Sequence, residues 1–230
     1  MLDKFTAKKI TKKTRKANKI ISILNEFKNL NKCNVLDIGS GTGIIAGNLA
    51  KYFKKVYGAD IIDNRIIKKG YLFKKVSDEI LPFKDKFFDV IISNQIIEHV
   101  NDQERHLSEI NRVLKKKGIC YLATPNKYWP IEPHYYLPFL SVMPKKIANL
   151  YLRLFKNKDY DAILLSHKQL YKKASKYFKI IDFTPSIIKN PKKYHLEKKF
   201  RFFSSIVGLL PNPLIRYTTP SFVFLLKKKE

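Results

Sequence analysis

The chain has 230 residues, 45% of them apolar, which is enough for one sizeable core and favours one domain with elaborations over two. Its 46 lysines and arginines against 19 acids leave +27 at neutral pH, but the excess is mostly lysine spread from end to end, beside abundant Ile, Asn, Phe and Tyr, as an AT-rich genome encodes. Such charge permits a nucleic-acid or anionic-membrane partner without requiring one. No apolar run reaches the roughly 18 residues of a membrane span, and Ile20-Ile21-Ser22-Ile23-Leu24 is too short for a secretory leader. Cys33 and Cys120 lack metal-ligand spacing and read as small core residues, so the expectation is a reduced, cytoplasmic protein, soluble or peripheral at a membrane, with no metal.

In chain order, residues 1–19 are strongly basic and read as a solvated arm. Residues 20–230 read as a single domain. Ile20, Ile23, Leu24 and Phe27 follow helical spacing and give one apolar face. The central stretch is Val35-Leu36-Asp37-Ile38-Gly39-Ser40-Gly41-Thr42-Gly43, a buried strand, a tight turn and the start of a helix over 44–53. Glycine there lets the backbone adopt angles closed to other residues and lets a ligand lie against the main chain. A dinucleotide fingerprint would need Gly or Ala where Ile44 stands, and a P-loop would end in Gly-Lys-Ser/Thr; neither is present.

A second strand, Val56 to Asp60, ends in an acid about 20 residues after the glycine turn, placed to accept two hydrogen bonds from a ribose. Ile61 lies beside it and opens a short helix to Gly70; a third strand follows over 71–76. Val90 to Ser93 forms a fourth buried strand, and Asn94-Gln95-Ile96-Ile97-Glu98-His99-Val100 its following loop. Asn101 with Glu104 caps a helix that runs to Gly118, with Leu107, Ile110, Val113 and Leu114 inward and His106 facing solvent. Ile119 to Ala123 is the fifth strand. Residues 127–165 and 186–219 then interrupt the alternation as insertions: an aromatic-rich loop holding His134, a helix starting at Pro144, and an apolar, lysine-flanked helix over 198–210. Between the insertions come a helix capped by Ser166 and Gln169 and the sixth strand over 178–183. Ser221 to Leu226 is the last strand, antiparallel beside the sixth.

The Asp-x-Gly-x-Gly-x-Gly motif at Asp37, the acid at Asp60, the Leu81-Pro82-Phe83…Phe88-Asp89-Val90-Ile91 segment and the Glu98-His99-Val100 element together resemble class I S-adenosylmethionine-dependent methyltransferases of the type 11 group. Small-molecule and quinone-type methyltransferases, including those that methylate hydroxyl groups in ubiquinone biosynthesis, resemble this chain closely in the Glu98-His99-Val100 element. The resemblance implies a doubly wound, seven-stranded, Rossmann-like α/β sheet with helices on both faces and a helical insertion after the fifth strand. It implies S-adenosylmethionine as cofactor, held by Asp37, Gly39, Ser40, Gly41 and Gly43 at the methionine end, Asp60 at the ribose and Asp78 or Glu79 at the adenine, with Ile61, Asn94 and Gln95 as further cofactor positions. His99 and His134 are the candidate bases for an acceptor proton. The expected acceptor is a small molecule or a lipid-linked compound, methylated at oxygen. RNA methylation is the alternative, disfavoured because Asn94-Gln95-Ile96-Ile97 replaces the Asn/Asp-Pro-Pro-aromatic element of base amino-methylating enzymes; a non-catalytic cofactor-binding module is the third reading.

Overall fold

A computed structural model describes residues 4–229. Seven strands form one sheet in the order β3-β2-β1-β4-β5-β7-β6. They are β1 (Asn34–Ile38), β2 (Lys55–Asp60), β3 (Leu72–Lys75), β4 (Phe88–Asn94), β5 (Leu114–Pro125), β6 (Phe178–Asp182) and β7 (Ser221–Lys228). The first five pair in parallel, and β7 runs antiparallel between β5 and β6. The order reverses at β1, so the carboxyl ends of β1 and β4 flank the crevice where such sheets bind ligands.

Both faces are covered, which is why the central strands read as unbroken apolar runs. On one face α1 (Lys4–Leu24), α2 (Ile44–Leu49) and α6 (Thr184–Lys189) bury Ile20, Leu24, Ile45, Leu49 and Ile187 against Val35, Val90, Tyr121 and Val223. On the other, α3 (Gln103–Val113) and α5 (His167–Ala174) set Leu107, Ile110 and Leu170 against Leu36, Ile91, Leu122 and Phe224. The insertion after β5 carries α4 (Lys145–Lys156) and its own small core of Leu137, Leu140, Ala148, Leu152, Tyr160 and Leu164. The later insertion holds α7 (Lys198–Val207) and α8 (Asn212–Ile215), joined through Ile188, Val207 and Ile215.

Five local expectations are corrected. The basic arm is helix from Lys4 onward, because Ala17, Ile20, Ile21 and Leu24 anchor its C-terminal half to the sheet and the lysines continue the same turns outward. Of the arm, residues 1–3 lie outside the described chain. Residues 61–70 form no helix; Ile66 and Ile67 donate instead to the Thr42 carbonyl, tying this stretch to the glycine turn. Asp102, not Asn101, caps α3 by accepting from the amides of Glu104 and Arg105, and the chain turns into β5 at Leu114 rather than running helical to Gly118. His106 faces inward: it is 3% exposed and shares a 3.0 Å hydrogen bond with Ser93 Oγ. The Ser166–Gln169 capping box forms as expected.

Burial holds His106 neutral, with its pKa lowered to about 4. The unfolded chain therefore binds the proton first, and stability should fall as pH drops from about 6.5 towards 4, by up to about 3 kcal/mol from this residue. Urea unfolding at pH 7 and at pH 4.5 should show the loss in the wild type and a smaller one in His106→Gln.

Candidate active site

The turn after β1 takes positive φ at Gly39 (67°), Gly41 (51°) and Gly43 (74°). The amides of Gly39 and Ser40 donate to the Ala59 carbonyl at 2.8 and 3.2 Å, which pins the turn to β2. Asp60 closes it from the other side, Oδ2 accepting from the Gly41 amide at 2.7 Å and Oδ1 from Ile62 at 3.4 Å. Behind the turn Asp37 is 2% exposed and its Oδ2 has no partner among the described residues. Burial raises its carboxyl to about 7, opposed by the positive charge of Lys13 and reinforced by Asp60. Ser40 Oγ is likewise buried without a partner.

A cavity of about 320 Å³ opens in front of the turn, lined by Gly39, Asp60, Ile61, Asp78, Glu79 and His99, with Ile96 and His106 on its walls. Five of the expected cofactor positions thus meet on one cavity, while Asp37, Ser40, Gly41 and Gly43 build the turn around it. Of the two adenine candidates, Glu79 is engaged, its Oε1 accepting from the amides of Asn101 and Asp102, whereas Asp78 uses only Oδ1, on the Ile80 amide. Asn94 ends β4 and Gln95 follows it, both outside the cavity lining. Gln95 takes φ 61° and its side chain accepts from Lys16 of α1.

Lys13 and Lys16 were not anticipated. Lys13 Nζ donates to Thr42 Oγ1 at 2.9 Å and stands 3.5 Å from where a Cβ on Gly41 would lie. One turn on, Lys16 reaches the loop after β4, and burial with the nearby Lys19, Lys12 and Lys13 lowers its pKa to about 8. The clue is the register: Lys13, Lys16 and Ala17 extend the spacing of Ile20, Ile23 and Leu24, so the basic run is one face of the same helix.

The insertion after β5 is fastened to the loop after β4. Gln103 donates to the carbonyls of Ile97 and Ile163, and the Ile163 amide to Glu98 O at 2.7 Å. This docking brings His134 to His99, with their Nε2 atoms 3.2 Å apart. Glu132, fully buried, accepts from His134 Nδ1 at 2.6 Å and from the amides of His134 and Tyr135. Glu98 Oε1 lies 3.9 Å from His134 Nε2, and its Oε2 accepts from Thr124 at 2.9 Å. Burial alone would lower the His134 pKa, but the hydrogen bond to Glu132 and the charges of Glu132, Glu98 and Asp161 outweigh it and the net shift is upward. Partial burial and the neighbouring His134 lower that of His99. The neighbouring charges thus favour a shared proton on His134 over His99.

Residues 36–122 match the sequence model of a family described as a methyltransferase domain. The chain is similar to a ubiquinone biosynthesis O-methyltransferase of Pelagibacter ubique, 36% identical over 118 residues that make up 47% of this chain and 49% of that one. An uncharacterised protein of Methanocaldococcus jannaschii is 37% identical over 107 residues, 46% of each chain. The chain thus spans about half the length of the curated relatives it matches. Among solved structures, a putative methyltransferase of Haloferax volcanii, crystallised with a methyltransferase activator, superposes with TM-score 0.59 at 16% identity, covering 94% of this chain and 91% of that one. A Haemonchus contortus phosphoethanolamine N-methyltransferase in complex with S-adenosyl-L-methionine superposes at 0.58 with 18% identity, covering 93% and 53%. Nearly the whole chain therefore shares its fold with these solved structures.

Proposed function

We propose that the chain binds S-adenosylmethionine in the cavity at the ends of β1 and β2 and transfers its methyl group to the oxygen of a small-molecule or lipid-type acceptor. The observation that carries this reading is the turn itself, with Gly41 open towards Lys13, Asp60 at its rim and an unpartnered buried oxygen on Asp37 behind it. These groups fit the cofactor: Asp37 would accept from its ammonium, Lys13 would face its carboxylate, and Asp60 would take the ribose hydroxyls. When bound, the sulfonium supplies an electrophilic methyl carbon. The protein's own work is to hold the acceptor in line with it, exclude water, and receive the acceptor's proton on His99, with His134 and Glu132 fixing that ring. Oxygen rather than nitrogen or carbon is favoured by this paired base beside the cavity.

No described helix is long and apolar enough to cross a membrane. Peripheral contact finds its material in α4, where Ile147, Leu150, Leu154 and Phe155 are exposed on a helix that opens with Lys145 and Lys146.

Calorimetric titration of S-adenosylmethionine and S-adenosylhomocysteine tests the reading. Wild type should bind both, and Asp60→Ala should lose about 1–3 kcal/mol through the broken hydrogen bonds to the ribose and to Gly41. A well-folded wild type that binds neither would overturn it.

A further inference from the structure

A second cavity, of about 410 Å³, lies between the two insertions and α1, walled by Trp129, Ile187, Phe200, Phe203 and Val223. Trp129 and Phe203 meet edge to face at 6.3 Å, one from each insertion. The space holds on the order of a dozen heavy atoms at roughly 30 Å³ each. Five polar residues interrupt the apolar lining: Ser221, Thr184, whose Oγ1 accepts from the Val223 amide at 3.0 Å, and three others. Ser204 Oγ and Thr219 Oγ1 are buried and have no partner among the described residues. Lys19 is the third; burial alone lowers its pKa, to about 8, with no acid close enough to oppose it. Buried hydroxyls without partners are rare in folded chains and call for an explanation.

Lys19 can only donate, so the component it lacks is an acceptor, and the Ser204 and Thr219 hydroxyls can both donate to the same group. A neutral hydrocarbon would leave the three donors unsatisfied, a cation would meet Lys19, and a polyanion would find no second positive group on these walls. We propose that this chamber binds a mono-anionic amphiphile, its apolar body between Trp129, Phe200 and Phe203 and its carboxylate-type oxyanion held by Lys19 with Ser204 and Thr219. Its place in the fold makes that amphiphile the methyl acceptor, an assignment that rests on the methyltransferase reading. Ser221, on the chamber wall, pairs with Pro125 at the carboxyl end of β5, the same sheet edge as the cofactor cavity. Lys19, Leu196 and Phe200 also line a smaller cleft with Lys16, the residue that holds Gln95 in the loop after β4.

The probes are decanoate, decanol and decylamine, each below its self-association concentration, titrated calorimetrically into the full chain, followed in the same samples by S-adenosylhomocysteine. Decanoate should bind about 10-fold or more tighter than decanol, and decylamine should not bind measurably. Lys19→Met should erase the advantage of the acid over the alcohol, and Lys19→Arg should keep most of it. Equal binding of acid and alcohol by wild type, or an advantage that survives Lys19→Met, overturns the anion site. Cofactor binding without any decanoate binding overturns the chamber and leaves the methyltransferase reading standing. Decanoate binding without cofactor binding supports the chamber and removes the methyltransferase reading.

Discussion

Gly43→Ala is expected to cost about 3 kcal/mol or more of folding stability and to abolish measurable cofactor binding, whereas Gly41→Ala, two residues away, should cost about 1 kcal/mol and leave a folded protein. Both glycines take positive φ, so both substitutions bear the penalty of a left-handed conformation. They differ in what the added carbon meets. At Gly43 it would lie 2.2 Å from the Ile67 carbonyl oxygen and 2.2 Å from Tyr71 Oη, two atoms already tied to each other by a 2.8 Å hydrogen bond. Neither can retreat without undoing the link that holds 66–67 against the turn, and α2 begins at the next residue. At Gly41 the nearest atom is Lys13 Nζ at 3.5 Å, the free end of a flexible side chain. Urea unfolding and S-adenosylhomocysteine titration on both variants check the contrast; equal losses at the two positions would mean that backbone strain alone, not the Ile67–Tyr71 clamp, governs the turn.

Legibility in the sequence followed the range of the interactions. The glycine turn and Asp60 announce themselves because each is a local solution to a local problem, a reversal after a buried strand and an acid at a strand end. Asp37 can be named from its motif, but its isolation inside the core depends on strands that arrive later in the chain. The basic helix was misread because its apolar anchor, Ala17 to Leu24, is short beside the lysines, and charge density outweighed register. His106 lies at helical spacing from Ile110 and Val113 on the buried face of α3, and its ring meets Ser93 of β4, 13 positions away. Residues 61–70 have enough apolar side chains for a helix, yet the Thr42 carbonyl claims their amides. His99 and His134 could each be nominated as a base, but nothing in the 35 positions between them states that they touch. That contact is made by Gln103 and Ile163, which dock one loop onto another.

That docked pair yields the second large effect. His134→Ala is expected to lower kcat for any acceptor hydroxyl that must be deprotonated, by less than the roughly 10²–10⁴-fold that losing the base itself costs, with cofactor affinity unchanged, since His134 does not line the cofactor cavity. The pH behaviour separates a positioning role from packing, and it can be read before an acceptor is known. In wild type, histidine ring resonances followed by NMR should titrate below the ordinary value of about 6.5 for His99 and above it for His134. The acidic limb of activity, which requires His99 neutral, then lies below 6.5 and the rate is flat through neutrality. Removing His134 takes away a positive neighbour that disfavours protonation of His99, so the His99 titration and the acidic limb should both move to higher pH. Retention of wild-type kcat with an unmoved His99 titration would reduce the pair to a latch that holds the insertion on the loop. A shifted titration with reduced kcat would identify His99 as the group that takes the proton and His134 as the residue that keeps it free to do so.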